Sequence, residues 1–181
     1  MRVFFLNGSP NPHGATGALL GIAERAARER GHECRTLCLG ELDLHFCKGC
    51  KACYGTGVCP LHDDVSTVME AMEWADAVTI ALPSYWGDMP GQMKTFVDRC
   101  TAYCNTVNGH CSLSSGKIGF GLALRAGKRP GECEHLIERV EHFLGHLNIP
   151  LKGNATLCGA DSRADVEAQG EAVLERCRAW F

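Results

Sequence analysis

No apolar run in this chain approaches the ~20 residues of a membrane span, so nothing calls for a bilayer. The apolar run nearest the N-terminus is residues 3–6. That is too short for the roughly 7–15-residue core of a secretory leader, and no small-residue cleavage pattern follows it. The start therefore reads as the first strand of a cytoplasmic protein. Charge of one sign is also missing: 18 Lys and Arg against 21 Asp and Glu leave a net charge of −3. This gives no reason to expect nucleic acid or an anionic membrane as partner. Internal repeats, low-complexity tracts and linkers are absent too, so the chain reads as one domain, 1–181.

Cysteine is what the chain has in excess, with twelve residues. A secreted disulfide scaffold would be short and poor in apolar periodicity, and this chain is neither. Reduced thiols are expected, some on metal and the rest buried as small hydrophobes. Four fall within thirteen residues, at Cys47, Cys50, Cys53 and Cys59, followed by Pro60. The C-x2-C-x2-C-x5-C spacing lets one short loop wrap a cluster, and four Cys thiolates on compact spacings hold iron–sulfur clusters. Free thiols, a redox-active pair or a structural zinc are the alternatives. Cys100 and Cys104, one helical turn apart, read as buried thiols, with Cys111 in the loop beyond. Cys34, Cys38, Cys133, Cys158 and Cys177 read as core. His62 and His110 are the histidines that lie beside cysteine-bearing loops.

The remaining pattern alternates strand and helix. Strands are expected at residues 2–6, 34–39, 77–82, 117–124 and, weakly, 151–158. Helices are expected at 16–30, from Asp63-Asp64 to 74, from Pro90 to about 103, about 133–147, and from a cap at Asp161 or Ser162 to about 180. Asp63 and Asp64 are expected in a first turn, where carboxylates favour the helix dipole. Five strands each followed by a helix imply an α/β fold: a five-stranded parallel sheet, order 2-1-3-4-5, covered on both faces. The cysteine loop, residues 45–62, is inserted after the second strand. Residues 105–115 form the other long irregular stretch, and long loops in compact domains are usually functional.

The loop after the first strand carries Gly8, Ser9, Asn11, His13, Gly14, Thr16 and Gly17 before a helix. Backbone N–H groups at such a helix start point at an anion. No Lys precedes Thr16, so this is not a Walker A loop, and the glycines do not spell G-x-G-x-x-G. Neutral donors suit one monophosphate, which points to FMN; the plainer reading is a tight turn capped by Thr16. Pro83, Ser84, Tyr85, Trp86 and Gly87 follow the third strand, across the switch point where open α/β sheets bind ligands. They are placed to hold a flavin ring, although Trp86 also suits a core or subunit interface. Arg125 and Gly127, after the fourth strand, complete the rim, unless Arg125 is only a surface ion pair.

With these pieces the chain resembles the flavodoxin-like NAD(P)H-dependent FMN reductases, and within them the iron–sulfur flavoproteins. The resemblance covers nearly the whole chain. It rests on Gly8-Ser9-Pro10 with Thr16, on the four-Cys motif with Gly57 inside it and Asp63-Asp64 after it, on Pro83-Ser84-Tyr85-Trp86, and on Gln92 and Lys94 with Asp98-Arg99. It implies FMN held by the first loop, the Tyr85-Trp86 loop and the loop after the fourth strand. It also implies homodimers or homotetramers with clusters near subunit interfaces. Two positions depart from the family pattern: Asn11 stands where a basic residue is common, and Ala15 where Asn is common. The expected activity is FMN-dependent electron transfer, with a [4Fe-4S] cluster on Cys47, Cys50, Cys53 and Cys59 passing single electrons between the flavin and a partner such as ferredoxin. The flavin does the chemistry, so no side chain need act as acid or base. Alternatives are an NAD(P)H-dependent FMN or quinone reductase without a cluster, and a non-enzymatic flavodoxin-like carrier or thiol redox sensor.

Overall fold

The computed structural model describes residues 1–109 and 111–181. Five strands, β1 (Arg2–Asn7), β2 (Glu33–Cys38), β3 (Ala77–Pro83), β4 (Ile118–Arg125) and β5 (Leu151–Cys158), form one parallel sheet in the order β2-β1-β3-β4-β5. The helices are α1 (Ala15–Glu29), α2 (Val65–Trp74), α3 (Gly91–Arg99), the single turn α4 (Asn105–Asn108), α5 (Gly131–His146) and α6 (Arg163–Arg178). The sheet order is the one expected from sequence. Every residue of the central strand β3 is buried, whereas the edge strand β2 buries only Cys38 fully.

Side chains of β1 alternate between two cores, as the two-residue period of a strand requires. Val3 and Phe5 pack with α1 and α6, while Phe4 and Leu6 pack with α2, α3 and α5. Phe4, Phe5, Phe96 and Phe120 are fully enclosed. Burying each such side chain stabilises the fold by about 1.5–3 kcal/mol. Among the described residues no helix is long and apolar enough to cross a membrane.

The boundaries differ from expectation in instructive places. The helix after β3 stops at Arg99 and tightens into a 3-10 turn at Cys100–Ala102. There the Thr101 hydroxyl donates to the Asp98 carbonyl at 2.9 Å, a side-chain bond that competes with helical continuation. Pro90 is the N-cap of α3 rather than its first helical residue. Lys117 precedes β4, and its buried ammonium donates to the Glu73 and Ala75 carbonyls at 2.6 and 2.8 Å, closing the end of α2. Pro83, expected as the first loop residue, is the buried last residue of β3. At α6 the expected cap is Ser162, which forms a capping box with Asp165. His110 lies outside the described residues.

Candidate functional site

The four clustered cysteines line one cavity of about 200 Å³. Left-handed backbone at Gly49, Lys51, Gly55 and Gly57 winds the loop around this cavity, with Cys53 and Cys59 half-buried and Cys47 and Cys50 exposed. The Gly57 amide donates to the Cys53 carbonyl at 3.0 Å, and the Thr56 hydroxyl to the Ala52 carbonyl at 3.0 Å. Burial raises the pKa of the Cys53 thiol, and the charges of Cys59, Cys47 and Cys50 act in the same direction, so the four sulfurs share one electrostatic neighbourhood. Among the described residues no three His, Cys, Asp or Glu side chains converge tightly enough to hold a single metal ion. Four thiols on one chamber are the donor type that an iron–sulfur cluster takes, and a structural zinc as well.

Both ends of this loop are tied to one buried guanidinium. The Arg99 side chain is 1% exposed, as is that of Asp63. Arg99 Nη1 donates to the His45 carbonyl at 2.9 Å and to Asp63 Oδ2; Nη2 donates to Asp63 Oδ1 at 3.1 Å and to the Leu61 carbonyl at 3.2 Å. Asp63 in turn accepts the His45 amide at 2.9 Å and the Val65 amide at 3.2 Å. Asp64 accepts the Asp43 amide at 2.8 Å and returns its own amide to the Asp43 carbonyl at 3.1 Å. The two aspartates precede α2 and clasp the loop, instead of occupying the helix's first turn as expected. Burial alone would raise the Asp63 pKa, but the bonds from Arg99, His45 and Val65 outweigh it and hold the carboxyl below its usual range.

The loop after β1 presents the start of α1 without a side-chain cap and without an acidic residue in its first turn. Its leading N–H groups are therefore available to an anion. The plainer expectation of a Thr16 cap fails, since Gly14 is the N-cap and Thr16 is buried inside the first turn. Ser9 is buried, its amide bound to Asn7 Oδ1 at 3.0 Å and its hydroxyl accepting the Asn11 amide at 3.1 Å. Asn11 Oδ1 accepts the His13 amide at 3.1 Å. Gly17 is required by packing, because a Cβ there would stand 2.3 Å from the Pro12 carbonyl oxygen. His13 and Gly17 also border a small cavity that holds Glu24 and Glu41, a setting unsuited to phosphate.

Tyr85 and Asp88 exchange amide–carbonyl bonds of 2.9 and 3.1 Å around Trp86 (φ 56°) and Gly87 (φ 80°), which is a type I′ turn. Trp86 is fully exposed and Tyr85 half-exposed. A tryptophan in left-handed backbone without packing in return marks a position held for something outside the chain's own core. Arg125 is the last residue of β4; its Nη2 lies 3.0 Å from Glu132 Oε1 and its Nη1 donates to the Arg129 carbonyl at 3.0 Å. The ion pair weighed for Arg125 is thus present. Its partner also accepts the Ser84 hydroxyl, so Glu132 joins the loops after β3 and β4. Gly127 lets this guanidinium lie over the chain, as a Cβ there would meet it at 2.6 Å.

A second cavity, about 580 Å³, is lined by Asp88 and Met89 from the Tyr85 loop side and by Tyr54, Asp98 and Thr101, which also line the cysteine chamber. This cavity adjoins the cysteine chamber, but none of the residues expected to hold FMN lines either one. Among the other cysteines, Cys38, Cys100, Cys133 and Cys177 are buried as expected, while Cys34, Cys104 and Cys158, also expected to be buried, are partly exposed. Burial pushes the Cys177 thiol up to about 12. His62 is exposed. Arg99, Asp63, Asp64 and Glu132 were not read as site residues from sequence. An arginine on the apolar stripe of α3 is the signal that was there to be found.

The sequence pattern of the family described as NADPH-dependent FMN reductase matches residues 1–155. An iron-sulfur flavoprotein of Methanocaldococcus jannaschii is 32% identical over 155 residues, covering 85% of this chain and 77% of that protein. One from Archaeoglobus fulgidus is 38% identical over 152 residues, covering 83% of this chain and 72% of that protein. Among solved structures, an NAD(P)H:quinone oxidoreductase from Methanothermobacter marburgensis superposes with a TM-score of 0.72 at 17% identity, over 99% of this chain and 96% of that one. At that identity the likeness shows the fold.

Proposed function

The chain belongs to the NADPH-dependent FMN reductase family, in its iron–sulfur flavoprotein branch, and is an FMN-dependent oxidoreductase; from that premise we propose that it relays electrons between FMN and a [4Fe-4S] cluster. The observation that carries the reading is the single chamber lined by Cys47, Cys50, Cys53 and Cys59. When bound, FMN would supply two-electron chemistry and the cluster one-electron transfer. The protein's part is to bind, orient and shield. Amides at the start of α1, with Ser9, Asn11 and Thr16 beside them, would hold the phosphate on the side of the loop away from the acidic cavity that His13 and Gly17 border. Pro83 to Gly87 position the ring, and Arg125 and Gly127 close the rim.

The donor is NAD(P)H or a reduced carrier, and the acceptor a quinone-like molecule or a one-electron carrier such as ferredoxin. Phe46, Tyr54, Val58, Tyr85 and Trp86 are large apolar residues exposed around both sites. They support assembly as a homodimer or homotetramer, as does the family resemblance. The chain acts as one domain, residues 1–181, in the cytoplasm. The test is iron, sulfide and flavin content after anaerobic purification and reconstitution. Four iron and four sulfide per FMN are expected. Flavin-loaded protein that takes up no iron would leave a plain NAD(P)H-dependent FMN or quinone reductase.

A further inference from the structure

Arginine carries five N–H donors in a rigid fork. In Arg99 the four on Nη1 and Nη2 are satisfied by Asp63, His45 and Leu61 at the base of the cysteine loop. The fifth, on Nε, is buried and has no hydrogen-bond partner. Arg99 lines the same chamber as the four cysteines. A buried N–H left unpaired is costly; Arg125 Nε is in the same state, but Arg125 does not line the cysteine chamber. Burial works against the Arg99 charge, the Asp63 bond sustains it, and the Cys59 sulfur is the next group to do so.

Resting on the cluster reading above, we infer that Arg99 Nε–H is the donor built to hydrogen-bond the Cys59 thiolate of the loaded cluster, and that it sets the cluster's reduction potential. Four thiolates give the cluster net negative charge, and reduction adds one electron more. Hydrogen bonds to the sulfurs and nearby charge are the protein's means of stabilising that state, and a charge-assisted bond does so more strongly than a neutral one. The fork that grips Asp63 also aims Nε, so the clasp of the loop and the tuning of the cluster are one side chain. Lysine can keep the charge but cannot supply both geometries.

The test is a dithionite titration of the reconstituted holoprotein, following the EPR signal of the reduced cluster. In Arg99→Lys the ratio of reduced to oxidised cluster at a fixed potential should fall about tenfold, which is about 59 mV for a one-electron couple. Asp63→Asn, which removes the opposing negative charge, should move the potential the other way. General loosening of the loop would shift both variants in the same direction, and that result would overturn the inference. A measurement on the unaltered protein covers the case in which neither variant loads. With [15N]arginine incorporated, pulsed EPR of the reduced cluster should show a guanidinium 15N coupling and an exchangeable proton lost in D2O. Loaded protein without that coupling overturns this inference alone. Protein that binds FMN yet takes up neither iron nor sulfide overturns the cluster reading, and this inference with it.

Discussion

Replacing Trp86 with Asn should make the flavin-free protein more stable and its flavin binding weaker. Trp86 sits at φ 56° in the first central position of a type I′ turn, with its ring fully exposed. Left-handed backbone costs an ordinary L-residue roughly 1–2 kcal/mol, and Asn-Gly is the pair that such turns prefer. The ring buries little against its own chain, so little packing is lost. The net expectation is a gain of about 1 kcal/mol, which in a chain of this size is a melting temperature about 2–4 °C higher. If the indole stacks on the flavin, its loss should cost about 1–3 kcal/mol by analogy with aromatic stacking on nucleobases, at 1.4 kcal/mol per tenfold in affinity. Urea denaturation of the flavin-free protein and fluorescence titration with FMN read the two effects. A less stable apoprotein would show that Trp86 is packed in solution, and sedimentation would then reveal whether a subunit interface had been lost. Unchanged FMN affinity would refute the ring's role at the flavin.

Cys50→Ser should lower iron per chain well below the wild-type value while leaving FMN content unchanged, measured by metal analysis and absorbance. Gly17→Ala brings a Cβ to 2.3 Å from the Pro12 carbonyl oxygen; overpacking of this kind costs about 1–3 kcal/mol, and denaturation together with a raised FMN dissociation constant would report it. Glu132→Ala removes the acceptor shared by Ser84 and Arg125 and should cost about 1–2 kcal/mol, read by urea unfolding. Asp63 has a depressed folded-state pKa. Its stabilising contribution is therefore complete above the ordinary carboxylate value near 3.9 and is lost as pH falls through the lower folded value. Hydrogen exchange across residues 45–63, corrected for intrinsic rates, should stay protected at pH 6 and rise as the pH falls below the ordinary carboxylate value; uniform protection over that range would show that the clasp does not depend on the carboxylate.

The sheet was legible because buried parallel strands write themselves as continuous apolar runs, and Ala77–Pro83 is buried at every position. Its order followed from alternation with helices and from the handedness rule. The cysteine loop was legible as spacing, because compact ligand sets are local in sequence. What holds that loop shut was not. Asp63 and Asp64 stand before an apolar helix, and a local rule assigns them to its dipole, yet apart from the local bond from Val65 their partners are Arg99, His45 and Asp43, distant in sequence. Glu132 meets Ser84 only because β3 and β4 are neighbours in the sheet. The sequence did carry half of the information. Met93, Phe96 and Arg99 recur at helical spacing on one buried face, and a charge on such a stripe is costly unless paired. That states the need for a carboxylate without saying which one. Only the tertiary arrangement selects Asp63, and by selecting it leaves the fifth donor of Arg99 unpaired in a side chain that lines the cysteine chamber.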